Sequence, residues 1–553
     1  MFRSAIILSF VTGLFAQNPL IYSRSTYNAA SFVPAGVPTG AIAQGSIFTV
    51  FGAGIGPATG VKASSFPLGI TLAGVSVNVV QGGTAVSAIP VFVGAGQINA
   101  IMPSTAPLGM VSLQVVYNNL KSNLSPARVV ASDFGIFTVN QTGIGPGVLW
   151  NFVSQNNQPV NSPTITAKNG QVITIWGTGL GPISGPDNVA PTAGNLPVQV
   201  EVFVGGVKAT NVQYFGRSPC CAGVDQIVFT IPANAPSGCW VPVYVRTGGT
   251  TISNFVTMAI EPSSGVCTTD VLPQITQIFV QGGTLGEALT TRANTIHDVG
   301  VIAPVTVIAD YQVSFAFAPP APPFPFNPAL AFPPSGSCTV YTLGGDMLNG
   351  NALKGMAPTT MPLDMGPPLL LSGPNGKRTL TQGFSGAMAG YLGGSISNNI
   401  LPSSLFLDPG AYSVQGFGGT DIGAFSTSFT IPAPFVWTNR STTNVVDRTQ
   451  PLTLSWSGGD SGQVVAILGF GEDLPTNSSA VFVCIAPPGS SSFTVPTDML
   501  SDLPATRPNP LQSKDIIYLL TLSGSSLKSI AAHGLDAGIT SFYSITGKTV
   551  VLQ

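Results

Sequence analysis

A chain of 553 residues that is 44% hydrophobic but only 7% charged, with a formal net charge of -2 and no Lys/Arg cluster, lacks the positive field of a nucleic-acid surface. Its 65 glycines and 48 prolines disfavour long helices, yet its apolar content is too high for a disordered polymer. Many short strands joined by Gly/Pro turns satisfy both observations, and a surface so poor in charge suits a cell surface, a matrix or an assembled state.

The chain opens MFRSAIILSFVTGLFA, with Arg3 ahead of an apolar run and Ala16 before Gln17. This predicts a Sec-type signal peptide over 1–16 and secretion to the extracellular space or cell surface, the periplasm being the alternative. No later stretch has the roughly 18–20 uninterrupted apolar residues of a spanning helix, so no transmembrane segment is expected after signal removal.

Two similar units follow, over 17–139 and 140–262. The first carries GSIFTVFGAGIGP at 45–57, VSVNVVQGG at 75–83, QINAIMP at 97–103 and PLGMVSLQVVYNN at 107–119. The second carries NGQVITIWGTGLGP at 169–182, VQVEVFVGG at 198–206, QIVFTIP at 226–232 and PSGCWVPVYVRTGG at 236–249, in the same order, which marks an internal repeat. In each copy a β-rich run ends in an aromatic residue and breaks into G-x-G-x-G-P. A dinucleotide fingerprint would read G-x-G-x-x-G and open a helix, whereas here proline follows the last glycine at once, so the pattern reads as a strand-exit turn.

Val75, Val77 and Val79 alternate with Ser76 and Asn78, as Val198, Val200 and Val202 alternate with Gln199 and Glu201. This predicts half-buried strands with Glu201 facing outward, and Gly82-Gly83 and Gly205-Gly206 predict the hairpin reversals. The offset between copies is 125 at Gly52/Gly177, 123 at Gly82/Gly205 and 129 at Gln97/Gln226. Extra residues have therefore entered the second copy around FGRSPCCAG, 215–223, a surface loop from which Cys220 or Cys221 is expected to reach Cys239.

The segments SDFGIFTVNQTGIGPGVLWN at 132–151, NSPTITAKNGQVITIWGTGLGP at 161–182, VFVGG at 202–206 and QIVFTIPANAPSG at 226–238 resemble an uncharacterised extracellular domain family abundant in Acidobacteria such as Solibacter. That family is itself reminiscent of immunoglobulin-like IPT/TIG modules. Over residues 22–262 the resemblance implies an exported bacterial protein of Ig-like β-sandwiches, and it brings no catalytic residues. Cys220-Cys221 stand where the family usually has a short glycine-containing loop.

Residues 263–434 are expected to form an elaborated β domain. Ile275 to Val280 and Ala303 to Phe317 read as strands, and Pro319, Pro320, Pro322, Pro323 and Pro325 form a stiff segment whose Phe324 and Phe326 cover neighbouring sheet. Residues 435–553 read as a C-terminal β-sandwich, with strands in PLTLSWSGGD at 451–460, QVVAILGFG at 463–471, AVFVCIAPPG at 480–489, DIIYLLTLSG at 515–524 and TSFYSITG at 540–547, and a helical turn near Asp498, Leu500 and Leu503. The fold class expected is all-β, tandem immunoglobulin-like β-sandwich domains.

Six cysteines in an exported chain point to structural disulfides among Cys220, Cys221, Cys239 and Cys267, with a Cys338–Cys484 bridge between the last two regions left open. The C-C-x17-C spacing does not suit zinc. His297 beside Asp298 and His533 near Asp536 have no G-x-S-x-G elbow, since GFSGA at 383–387 has the wrong spacing. Glu201 and the Glu472-Asp473 turn make a poor carboxylate pair, and Asp421 and Asp460 lack a calcium-loop frame. No catalytic, cofactor or metal residue is assigned, and no enzyme is expected.

Binding remains: Tyr214, Phe215 and Trp240 are candidate aromatics for stacking on a sugar or docking a protein, with core filling as the plainer role of Trp176 and Trp240. The expectation is a secreted, non-catalytic structural or adhesive protein whose partners are cell-surface polysaccharide, protein or its own copies. Carbohydrate binding associated with extracellular polysaccharide is the alternative, and a divergent hydrolase stands third.

Overall fold

The computed structural model describes residues 18–553 apart from 264, 271, 299–302, 319–325, 327, 329–330, 345–360, 386–387, 401 and 508–514. The expected signal peptide, the prolines Pro319 to Pro325 with Phe324, and the end of the GFSGA string lie outside the described residues.

Each repeat closes as a two-layer sandwich. In the first, a five-stranded sheet containing Leu20–Asn28, Ile47–Ala53 and Gln97–Ile101 faces a six-stranded sheet containing Val75–Gln81 and Gly109–Tyr117. Phe48, Val50, Val75, Val77, Val79, Ile98, Leu113 and Val115 meet between them. Each such side chain, fully buried, stabilises by roughly 1.5–3 kcal/mol. The second repeats the plan: Val172–Thr178, Val212–Arg217 and Asp225–Thr230 in five strands, and Val200–Val204, Gly238–Thr247 and Val256–Ile260 in six. Gly135–Ile136 already pairs with Gly177 and Thr178, so the handover between units falls a few residues before 139/140.

The repeated glycines have the same geometry in both copies. Gly82-Gly83 (φ +54° and +88°) and Gly205-Gly206 (+57° and +83°) have the two positive φ angles of a tight hairpin turn. At Gly52 and Gly177 a Cβ would lie 2.2 Å from the carbonyl oxygens of Leu20 and Gly135, because the first strand of each unit crosses directly over the corner.

Most of the described strands after residue 262 join one large sheet. A 14-stranded sheet pairs Leu285–His297 in parallel with Ala537–Thr549 and antiparallel with Val305–Ala318, while Cys338–Gly344 pairs with Ser478–Ile485. Four adjacent strands from after residue 434 lie between Cys338–Gly344 and Leu285–His297, both from before it, so the division expected at 434/435 falls inside a shared sheet. One end, with Leu369–Gly373, Gly410–Gly416 and Phe425–Ile431, packs back over Ala288, Ala316 and Phe542. At the other end a three-stranded sheet of Phe435–Trp437, Leu452–Gly458 and Ser492–Val495 closes over Ile467, Phe482 and Leu519.

The run Ile275 to Val280, expected to be a strand, is part of the helix Pro273–Gln281. Proline sits in its first turn, where the missing N–H costs nothing, and Leu272, Ile275 and Ile278 recur every third residue to bury one stripe.

Candidate functional site

The second sandwich has two outer faces of opposite fate. Strand period sends Val202, Val204, Val243 and Val245 into the core and so turns Phe203 and Tyr244 outward on the six-stranded sheet. The C-terminal body closes that face, with Phe203, Tyr244 and Phe255 joining Phe435 and Phe482 in one buried cluster. Tyr244 stacks on Phe203 at 4.7 Å, and the Arg246 guanidinium lies 4.8 Å above the Phe203 ring. Tyr244 Oη donates to Asp498 Oδ2 at 2.8 Å, and Arg246 Nε pairs with Glu201 Oε2 at 2.7 Å.

Glu201, expected to face solvent, is only 8% exposed under this seal. Its alternation is as expected, but outside the sheet here means inside an interface. Hydrogen bonds from Lys208 and then Arg246 hold its carboxyl below the usual range.

The five-stranded sheet leaves its outer face open. Val160, Trp150, Thr174, Val228 and Tyr214 stand opposite one another in a row across neighbouring strands. At about 4.8 Å per step the row spans roughly 19 Å. Trp176 faces Gln226 and Val172 faces Thr230 in the rows on either side. The Trp150 and Trp176 rings lie 4.7 Å apart, tilted by 53°. Both are half-buried, Phe152 and Val160 are exposed, and no side chain in the set carries a charge.

The indole N–H groups of Trp176 and Trp240 are both buried and without an acceptor. By contrast Trp437 and Trp456, each 3% exposed, donate to Asn439 Oδ1 at 2.8 Å and Ser490 O at 2.9 Å. In the first sandwich Phe51 faces Gln97 in the matching register, with Tyr27 6.1 Å away. An outward aromatic residue opposite a glutamine is thus a repeated feature.

Where this face ends, the two sandwiches are clamped together. Asp225 Oδ2 accepts the backbone N–H groups of Gly179 at 2.7 Å and Leu180 at 2.8 Å, both in the glycine corner. Its other oxygen pairs with Arg217. Arg217 Nη2 donates to Gly45 O of the first unit at 2.9 Å and to Gly181 O at 2.7 Å. The corner therefore cradles a carboxylate belonging to the chain itself. Burial pushes Asp225 upward against the pull of Arg217. Beyond the pair, Ala222 and Gly223 press on Ile47 and Ile101 of the first unit.

The cysteines pair as Cys220–Cys221, Cys239–Cys267 and Cys338–Cys484. The expected reach from Cys220 or Cys221 to Cys239 is replaced by a bond between chain neighbours. Cys239 is buried beside Cys267, while Cys220 and Cys221 lie exposed on the inserted loop. Cys338 and Cys484 face each other across adjacent strands. Glu261 completes a group with Cys239 and Cys267. Both sulfurs are bonded, however, and Glu261 Oε1 accepts the N–H groups of Thr268 and Thr269 at 2.7 Å each.

Of the candidate aromatics, Tyr214 lies on the open sheet face, with Oη donating to Arg217 O. Phe215 points the other way, against the sandwich core. Trp240 packs edge-on to Phe326 at 5.7 Å, between the second sandwich and the body, and fills neither a loop site nor a sandwich core. Trp176, given a core role from sequence, is on the outside. Trp150 and Gln226 were missed, although parity with Thr174 in QVITIW places Trp176 opposite the core isoleucines Ile173 and Ile175.

Other chemistry resolves into structural roles. The His297 ring shares a hydrogen bond with Thr295 Oγ1 at 2.9 Å. Asp460 caps the turn at Ser523–Ser525, accepting Ser525 N at 2.8 Å, and Asp421 Oδ2 accepts Asp364 N at 2.8 Å. Glu472 and Asp473, expected in a turn, end the buried strand Val464–Asp473, where Arg507 holds Asp473 at 2.6 and 2.9 Å.

The strands, sheets and cores define an all-β protein of tandem immunoglobulin-like sandwiches. No family model and no curated protein sequence matches the chain. Among solved structures, it is similar to domains 5–6 of the S-layer protein SbsC, at 10% identity over 44% of this chain and 98% of that one, with a TM-score of 0.16. It is also similar to SGBP-B from a xyloglucan utilization locus in Bacteroides uniformis, at 12% identity over 66% and 80% with a TM-score of 0.16. SGBP-B of a mixed-linkage glucan utilization locus in Bacteroides ovatus matches at 11% identity over 94% and 96%, with a TM-score of 0.14. At these TM-scores the likenesses carry no argument about function. Among the described residues, no helix is long and apolar enough to cross a membrane.

Proposed function

We propose that this is an exported, non-catalytic structural or adhesive protein of the bacterial cell surface or matrix, of the Acidobacteria-type family it resembles, with a cleaved leader over 1–16. The observation that carries this reading is the clamp of Arg217 and Asp225, which fastens Gly45 of the first sandwich to Gly181 of the second. Together with the sealed face around Phe203 and Tyr244, it supports a stiff three-part arm, suited to bearing load or presenting surfaces. Three disulfides fit an oxidising compartment.

Fractionation of the native bacterium with an antibody to the chain tests location, and small-angle scattering of the full chain tests stiffness. Recovery in the envelope or medium, with a narrow distance distribution that broadens in Arg217→Ala, is expected. A cytosolic protein, or a wild type as flexible as the variant, rejects the reading. A second reading, binding of extracellular polysaccharide, is favoured by the open aromatic face of the second sandwich.

A further inference from the structure

We propose that the outer face of the five-stranded sheet in the second sandwich binds a neutral polysaccharide, laid over Trp150 and Trp176 and hydrogen-bonded by Gln226. The proposal rests on the polysaccharide reading and gives it a site and a ligand class.

Pyranose rings present apolar C–H faces that stack on aromatic rings and a rim of hydroxyls that pairs with amides and hydroxyls. The face supplies both. Trp150 and Trp176 form a pair 4.7 Å apart, Tyr214 stands at the far end of the cross-strand row, and the half-buried Gln226 and Thr230 lie beside them.

Charge decides the class of occupant. No side chain of the row or its flanks is ionised, so nothing here would pair with a uronate, sulfate or phosphate polymer. The opposite face of the same sandwich shows how this chain docks protein: Arg246, Glu201, Lys208 and Asp498 ring the aromatic seal with ion pairs. The open face has no such ring, which favours a glycan over a second copy. Its row, roughly 19 Å long, suits several linked sugars rather than one. Phe51 opposite Gln97 offers a smaller version on the first sandwich.

The test is electrophoresis of the full chain through native gels containing soluble neutral polymers (hydroxyethylcellulose, xyloglucan, galactomannan), with carboxymethylcellulose and polygalacturonate as charged comparisons. Retardation by a neutral polymer is expected, weakened at least tenfold in Trp150→Ala and Trp176→Ala and several-fold in Gln226→Ala. Tyr311→Ala, at a side chain 51% exposed on the body, should match the wild type. Gln226→Ala and Trp150→Phe guard against unfolding, since neither empties the core. Binding that all these variants retain overturns the site but leaves the polysaccharide reading standing. No retardation by any neutral polymer overturns both. A concentration-dependent dimer that Trp150→Ala dissolves assigns the face to self-association and overturns the proposal.

Discussion

Replacing Arg217 by alanine should cost the second sandwich more than any surface charge could. Its side chain is 3% exposed and that of Asp225 is 0% exposed, so the variant strands a carboxylate away from water. Gly45 O and Gly181 O lose their donor as well. Removing one partner of a buried pair typically costs about 3–5 kcal/mol. For a sandwich of this size that is on the order of 10–20 °C in melting temperature. The variant's Asp225 is expected to take up a proton, since burial already pushes its carboxyl upward with Arg217 in place. Urea unfolding followed by tryptophan emission reads the effect, because Trp150 and Trp176 report on the second sandwich. A loss below about 1 kcal/mol, the worth of an exposed pair, would refute the reasoning. The double variant Arg217→Met with Asp225→Asn removes the unpaired charge and should regain most of the stability. If it is as weak as the single variant, charge burial is not the cause.

Three further outcomes follow from the same structure. Burial pushes Asp502 up to about 8, aided by Asp498 and opposed by a hydrogen bond from Thr39 of the first sandwich. The folded state thus holds this proton more tightly than the unfolded chain, whose carboxyl titrates near ~3.9, so its contribution is fully present below that pH and is lost as pH rises through about 8. The melting temperature of Asp502→Asn relative to wild type should rise steadily over that window, and a constant difference from pH 4 to pH 9 rejects the assignment. Opening Cys338–Cys484 by Cys→Ser at both positions frees a separation of 146 residues, against 28 for Cys239–Cys267. Chain entropy puts the losses at about 5 and about 3.5 kcal/mol, a ranking that denaturation of the two variants checks. Mild reductant followed by alkylation and mass spectrometry should label Cys220 and Cys221 first, since they are exposed while the other four are buried; simultaneous labelling of all six contradicts this.

Much of the fold was legible because strand period and turn chemistry are local. Val75, Val77 and Val79 could bury only one face, and Gly82-Gly83 could turn only one way, so the sandwiches followed from neighbours in the chain. The helix Pro273–Gln281 escaped because a short apolar run has no decisive period, and burial of its stripe settled the matter. The candidate site was half legible: Tyr214 lies on it, but Phe215, its neighbour, points inward.

By itself the sequence determined which residues alternate, where the chain reverses, and that two copies of one sandwich lie in series, because those depend on contacts a few residues apart. Tertiary structure alone decided which outer face stays open. Glu201 and Trp176 both point away from a core, yet one is sealed beneath the C-terminal body and the other faces outward. It also decided that Leu285–His297 pairs with Ala537–Thr549, and that Asp225 meets Arg217 and the glycine corner. Those partners are set by how whole sheets pack, a choice that no local spacing encodes.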